Sequence, residues 1–182
     1  MIKLLILDVD GVLTDGRKTY DDNGLGCYKV FCDKDFTAIK RLKSSNVDVC
    51  FLSGDENVNR AVAKNRDIDF YFSRGKCKTE FLNTLGEKYN CPTSKMAFVG
   101  DDLFDLRIAQ SVGYSFCPAD SCREIKKEST LVLKSRGGEN VVMELVDYLI
   151  DLLMQKMIME KHLIYFKVSL GQNDGMMEQR TL

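Results

Sequence analysis

The chain has 182 residues, 45% of them hydrophobic, enough to bury one sizeable core and too few for two ordinary domains. A net charge of -1, from 26 Lys plus Arg against 27 Asp plus Glu, excludes a general electrostatic attraction to nucleic acid or an acidic surface, so an anionic partner must be held by a local site. Seven cysteines form no C-x-x-C pair and the single His162 cannot complete a zinc-finger spacing, which reads as reduced thiols and not as a zinc or disulfide framework.

From the start, Ile2-Lys3-Leu4-Leu5-Ile6-Leu7 is an apolar run of strand length without the longer apolar region and small-residue cleavage site of a signal peptide, so a cytoplasmic protein is expected. Leu13 to Phe31 then carries the turn cluster Asp21-Asp22-Asn23-Gly24 between Thr19-Tyr20 and Tyr28-Lys29-Val30-Phe31, the pattern of a β-hairpin projecting at about 14–31. β-rich runs recur at Leu4–Val9, Val49–Leu52, Phe70–Phe72, Met96–Val99 and Tyr114–Cys117, with amphipathic segments between most of them. Phe36, Ile39 and Leu42 make one helical stripe, and Phe81 and Leu85 repeat it. This alternation predicts an α/β fold, a parallel sheet flanked by helices. A helix is expected from Glu139 to Met154, with Val142, Leu145, Val146, Leu149, Leu152 and Leu153 on its apolar face. The region 141–159 contains Glu144, Asp147, Asp151 and Lys156, charges too frequent for a membrane span. One domain over 1–155 is expected, with 156–182 as a tail that frays or docks on another subunit.

Four separated segments have the residue types that phosphoryl transfer needs, each after a strand where a parallel sheet places its site. In Asp8-Val9-Asp10-Gly11-Val12-Leu13-Thr14-Asp15-Gly16, Asp8 can attack phosphorus to form an aspartyl phosphate. Asp10 can give a proton to the leaving alkoxide and later activate water. Paired aspartates also close strands as solvated turn residues, so the pair alone decides little. In Phe51-Leu52-Ser53-Gly54-Asp55, the Ser53 hydroxyl and backbone N–H groups near Gly54 can hold phosphoryl oxygens, although Ser-Gly after a strand also serves as a plain turn. Arg74-Gly75-Lys76-Cys77-Lys78 offers a lysine to neutralise the transferring group, against the reading of solvated lysines. Gly100-Asp101-Asp102-Leu103-Phe104-Asp105 supplies Asp101, which with Asp8 suits Mg²⁺, a cation that takes few carboxylates, keeps waters and binds oxygens at about 2.1 Å. Asp102 and Asp105 read equally well as orienting residues or as helix N-cap and first-turn acids.

In this order the four segments resemble the motifs of the haloacid dehalogenase superfamily of phosphatases, over roughly residues 3–150. Asp8–Gly16, Gly100–Asp105 and Arg136-Gly137-Gly138-Glu139 are similar to the group acting on 3-deoxy-D-manno-octulosonate (KDO) 8-phosphate and its nonulosonate 9-phosphate relatives. The resemblance implies a Rossmann-like domain without a large cap and an Mg²⁺-dependent phosphatase acting on a small phosphorylated sugar acid. It also implies a homotetramer in which a neighbour's hairpin and tail help close the site. Asp8 and Asp101 would ligate Mg²⁺ through side chains and Asp10 through its backbone carbonyl, with Ser53, Gly54 and Lys78 on the phosphate. Lys78 stands one residue short of the family spacing, with Lys76 as the other candidate; Phe36 follows Asp35 where relatives often have Gly or Ser; and Met143 stands where they have arginine. Arg60, Lys64 and Arg66 are candidates for a sugar carboxylate, or simply a solvated helix face. Non-catalytic domains of this kind fused to acylneuraminate cytidylyltransferases give an alternative assembly role, and a phosphatase of different substrate range is another; a phosphoacceptor receiver is disfavoured because Ser53 occupies the place of its acceptor aspartate.

Overall fold

The computed structural model describes residues 2–22, 27–151, 158–159 and 161–162. The chain forms two compact units, Met1–Leu145 and Val146–Leu182. In the first, β1 (Leu4–Leu7) leads into a hairpin of β2 (Thr19–Tyr20) and β3 (Cys27–Tyr28), followed by α1 (Asp33–Ser44), β4 (Asp48–Ser53), α2 (Asn57–Asn65) and β5 (Asp69–Phe72). A 3₁₀ turn at Lys78–Phe81 runs into α3 (Leu82–Lys88), then come β6 (Met96–Val99), a 3₁₀ turn at Leu103–Asp105, α4 (Leu106–Ser111), β7 (Tyr114–Cys117), α5 (Arg123–Glu128) and β8 (Leu131–Val132). A helix begins at residue 141, and in the second unit residues 146–151 are helical.

Six strands form one sheet in the order β5-β4-β1-β6-β7-β8, every neighbour parallel. Counting only these strands, the order is 3-2-1-4-5-6, the doubly wound Rossmann arrangement, whose direction reverses between β1 and β6. Leu4–Leu7 and Met96–Val99 are buried along their whole length, as expected of strands covered on both faces, which explains why they read as continuous apolar runs. The expected strands all form, with ends shifted by a residue or two. The β1 strand stops at Leu7, because the Asp8 N–H still reaches the Val99 carbonyl while the chain after it turns out of the sheet. Strand β8, two residues long, was not expected; it carries no alternation from which a strand could be read.

Phe36, Ile39 and Leu42 are buried on α1, and Asp33 and Asp35 in its first turn with Arg41 and Lys43 in its last suit the helix dipole. Asp35, 1% exposed, also accepts from the N–H groups of Val142 and Met143 at 2.9 and 3.1 Å, so it caps the helix that begins at 141. The hairpin forms a separate two-stranded ribbon with Thr19 opposite Tyr28; among the described residues no larger cap occupies this connection. Residues 152–157 and most of 160–182 lie outside the described residues, so the expected helix end and tail do too. Among the described residues no helix is long and apolar enough to cross a membrane.

Candidate active site

A cleft of about 710 Å³ opens at the carboxyl ends of the central strands, lined by Asp8, Asp10, Ser53, Lys78, Asp101 and Asp105 among others. It lies at the reversal between β1 and β6, where a doubly wound sheet leaves a crevice. Asp8 directly follows β1, and its Oδ1 accepts from the Val9 N–H at 2.7 Å. The next turn is wound tightly, with the N–H groups of Val12, Leu13 and Thr14 all pointing at the Val9 carbonyl. Gly11 sits in that turn at φ +82, and a Cβ there would overlap the Asp101 carboxylate. The position therefore requires glycine for conformation and for space.

Lys78 is 6% exposed, and its ammonium bridges Asp8 Oδ2 at 2.8 Å and Asp105 Oδ1 at 2.5 Å. Asp105, fully buried, accepts the N–H groups of Asp101 and Asp102 on its other oxygen at 2.9 and 3.3 Å. It thus holds both the lysine and the loop carrying Asp101. Asp102 is the exposed N-cap of the following turn, accepting from Leu103 N–H at 2.6 Å. The two readings left open for these acids divide between them: Asp105 orients, Asp102 caps. Of the two lysines, Lys78 reaches Asp8, while Lys76 lies over the Phe81 ring.

Oxygens of Asp8, Asp101 and Asp105 lie within 4.8 Å of one another. Three carboxylates lie about one ammonium, and their burial and crowding show in the protonation of two of them, Asp8 and Asp101. Burial raises the Asp8 carboxyl to about 7, with Asp105 adding to it and Lys78 opposing. Burial, then the charges of Asp8, Asp105 and Asp102, raise Asp101 to about 8. Lys78 is lowered by burial but raised more by Asp8 and Asp105, so it stays an ammonium. An all-oxygen cluster with uncompensated negative charge is the donor set that a hard divalent cation satisfies.

Ser53, 1% exposed, ends β4. Its Oγ accepts from the Asp55 N–H at 3.2 Å and from Asn59 Nδ2 at 3.0 Å, which leaves the hydroxyl hydrogen to donate to an anion in the cleft. Gly54 lines the cleft beside it, its carbonyl accepting from Arg74 Nε at 2.9 Å. The carboxylate of Asp10 does not join the acidic cluster: Oδ1 meets Lys29 Nζ at 2.7 Å and Oδ2 accepts from Asn59 Nδ2 at 2.9 Å. Lys18 and Lys29 converge on Asp55, each at 2.8 Å; burial raises that carboxyl, but their hydrogen bonds outweigh it and bring it down to about 2. The fold therefore brings together Asp8, Asp10, Ser53, Gly54, Lys78 and Asp101. Arg60 is not brought to them: it pairs with Glu56 at 2.6 Å, lies over the Phe70 ring and does not line the cleft. Arg66 pairs with Asp33 and lies over Phe36.

Lys18, Lys29 and Asn59 were not anticipated. Exposed lysines are the ordinary case in a hairpin, so nothing marked Lys29 but its place within the apolar run Tyr28–Phe31. Asn59 had a readable signal, since it lies four residues before Ala63 on the buried face of α2, a polar residue where the helical period calls for an apolar one.

A family model described as haloacid dehalogenase-like hydrolase matches residues 28–113. The 3-deoxy-D-manno-octulosonate 8-phosphate phosphatase KdsC of Haemophilus influenzae is 33% identical over 151 residues, covering 82% of this chain and 83% of the relative. The solved cobalt-bound form of the Haemophilus influenzae phosphatase superposes with a TM-score of 0.77 at 33% identity, covering 82% of this chain and 88% of the other. The Moraxella catarrhalis 3-deoxy-D-manno-octulosonate 8-phosphate phosphatase, solved with magnesium, phosphate and a KDO molecule, superposes with a TM-score of 0.76 at 27% identity, covering 82% and 86%. With its Rossmann-like sheet and acidic cleft, the chain belongs to the haloacid dehalogenase-like hydrolases and is a phosphatase similar to the KdsC enzymes.

Proposed function

We propose that the protein hydrolyses the phosphate monoester of a small sugar acid, of the KDO 8-phosphate or nonulosonate 9-phosphate kind, with Mg²⁺ and through a phosphorylated Asp8. The observation that carries this reading is the convergence on one cleft of Asp8 and Asp10 after β1, Ser53 at the end of β4, Lys78 in the turn at Lys78–Phe81 and Asp101 after β6. Lys18, Arg74, Lys76 and Arg107 also line it, cationic groups suited to a substrate that bears a carboxylate besides its phosphate. The relatives named above, acting on KDO 8-phosphate, support the same class of substrate.

An Asp8 oxygen attacks phosphorus as the ester P–O bond breaks, and the electron pair leaves with the alkoxide, which takes a proton from Asp10. Water then attacks the phosphorus of the aspartyl phosphate and gives its proton to Asp10, releasing inorganic phosphate and restoring Asp8. Lys78 and the Ser53 hydroxyl hold the phosphoryl oxygens through both steps. Asp8 and Asp101 side chains and the Asp10 carbonyl would hold Mg²⁺, which when bound neutralises phosphate charge and aligns it for in-line attack. Asp105 keeps Lys78 and the Asp101 loop in place. A homotetramer supplying cover for this capless cleft completes the reading, in the cytoplasm, with residues 1–155 as the catalytic domain.

Phosphate release with Mg²⁺ from KDO 8-phosphate, a nonulosonate 9-phosphate, ordinary sugar phosphates and an aryl phosphate, with wild type beside Asp8→Asn, tests this. The expected result is preference for a sugar-acid ester, lost by at least about a thousandfold in the variant, as for removal of a nucleophile. Preference for other esters that still needs Asp8 discards the substrate and keeps the chemistry. No turnover in folded, Mg²⁺-loaded protein discards both.

A further inference from the structure

We propose that Lys29, carried by the hairpin, is the residue that positions Asp10 for its proton transfers, with Asn59 as the second arm of the clamp. The inference rests on the acid/base reading of Asp10 given above. Lys29 is not a snorkelling surface lysine: its side chain is 0% exposed. An ammonium has three hydrogens to donate, and its burial is tolerable only when each finds an acceptor. Here hydrogen bonds run to Asp55 Oδ2 and Asn59 Oδ1, each at 2.8 Å, and the ammonium also forms an ion pair with Asp10 Oδ1 at 2.7 Å. Asn59, itself fully buried, uses its two Nδ2 hydrogens on Asp10 Oδ2 and Ser53 Oγ.

Asp10 Oδ2 is therefore held by a hydrogen bond from α2, and Oδ1 faces the charge of the hairpin's Lys29. Among the described residues Asp10 Oδ1 is buried and accepts no hydrogen bond, so the charge of the Lys29 ammonium at 2.7 Å helps hold it. The carboxylate keeps 21% exposure, enough to face a leaving group in the cleft. Because Lys29 follows β3 directly, the seat of the hairpin and the aim of the acid/base are one variable. Lifting the ribbon would withdraw the partner of Oδ1 and release Asp10 from its direction, while Asp8, Lys78 and Asp101 kept theirs. Asp55 acts as the anchor, tying Lys29 and Lys18 of the same ribbon to the end of β4.

Leaving-group dependence separates this role from a merely structural one. An alkoxide needs a proton to depart and a nitrophenolate does not. In Mg²⁺-loaded protein, rapid-quench measurement of the first turnover compares release of KDO from its 8-phosphate with release of nitrophenol from 4-nitrophenyl phosphate, for wild type, Asp10→Asn, Lys29→Met and Asn59→Ala. Lys29→Met should slow alkyl release by about a hundredfold, the lower range for losing general acid catalysis, and leave the nitrophenol burst nearly unchanged. Asp10→Asn should show the same split, and Asn59→Ala a smaller one. Equal slowing of both releases in Lys29→Met, with the split present in Asp10→Asn, would overturn the inference alone. No split in Asp10→Asn would overturn the acid/base reading beneath it. If thermal melting shows Lys29→Met to be unfolded, Lys29→Gln decides, since it removes the charge and keeps a donor for Asp55 and Asn59: a split supports the clamp and uniform slowing rejects it.

Discussion

Asp8 and Asp101 carry more negative charge than one buried lysine can balance, and their protonation predicts how the cation binds. Burial first, and the neighbouring acids after it, hold these carboxyls at about 7 and about 8 in the metal-free chain, above the about 3.9 of an unfolded aspartate. A carboxyl raised on folding contributes stability that is fully present below the unfolded value and lost as pH rises through the folded one. Chelator-treated protein should therefore melt at progressively lower temperature from pH 5 to pH 8, and Mg²⁺ should restore more at the upper end, because its binding displaces those protons. Melting curves with and without Mg²⁺ across this range check it; Asp101→Asn should flatten the metal-free profile, and an equally steep profile in that variant would remove the argument. The residues of this cluster were legible in the sequence because the chemistry demands carboxylates next to strand ends. Lys29 was not, since only the folded ribbon shows that its ammonium is dry, and Arg60 could not be placed because a cation near the second motif reads the same whether it faces the cleft or Glu56.

At the scale of elements, two contacts hold the loop after β1. The Gly138 N–H donates to the Val12 carbonyl at 2.9 Å, and a Cβ on Gly137 would overlap the carbonyls of Gly11 and Thr14. Gly137→Ala should therefore cost about 1–3 kcal/mol by overpacking, read from urea unfolding. It should also lower kcat more than KM, because Gly11 is in turn pressed against Asp101. Unchanged kcat in a destabilised variant would show that the two loops are uncoupled. Asp35→Ala, which removes the carboxylate over the N–H groups of Val142 and Met143, should cost about 0.5–2 kcal/mol as the loss of a cap, measured the same way. The elements themselves were largely readable: apolar runs of four to six residues gave the central strands, and the stripe of Phe36, Ile39 and Leu42 gave α1. The role of Asp35 was hidden because its partners lie more than a hundred residues away, a distance across which local periodicity carries no information.

At the scale of the whole molecule, the ribbon exposes Tyr28 and Val30 at 73% and 81%, and Phe104 stands 82% exposed at the rim of the cleft. Large apolar side chains exposed this openly are suited to contact with another chain, in keeping with the proposed tetramer. Light scattering should give four chains per particle, and activity per chain should fall on dilution into dissociated protein. A fully active monomer would mean that the cleft needs no cover. The sheet order has a separate consequence for how the protein is made. The strand that bears Asp8 leaves the ribosome first, yet it lies at the centre of the sheet between β4 and β6. Its second edge stays unpaired until residues 96–99 have emerged, roughly 5–20 s later at bacterial to eukaryotic translation speeds. During that interval the nascent chain presents an unpaired apolar strand to its surroundings, so synthesis at high rate or high temperature should aggregate this protein more readily than its finished stability would indicate.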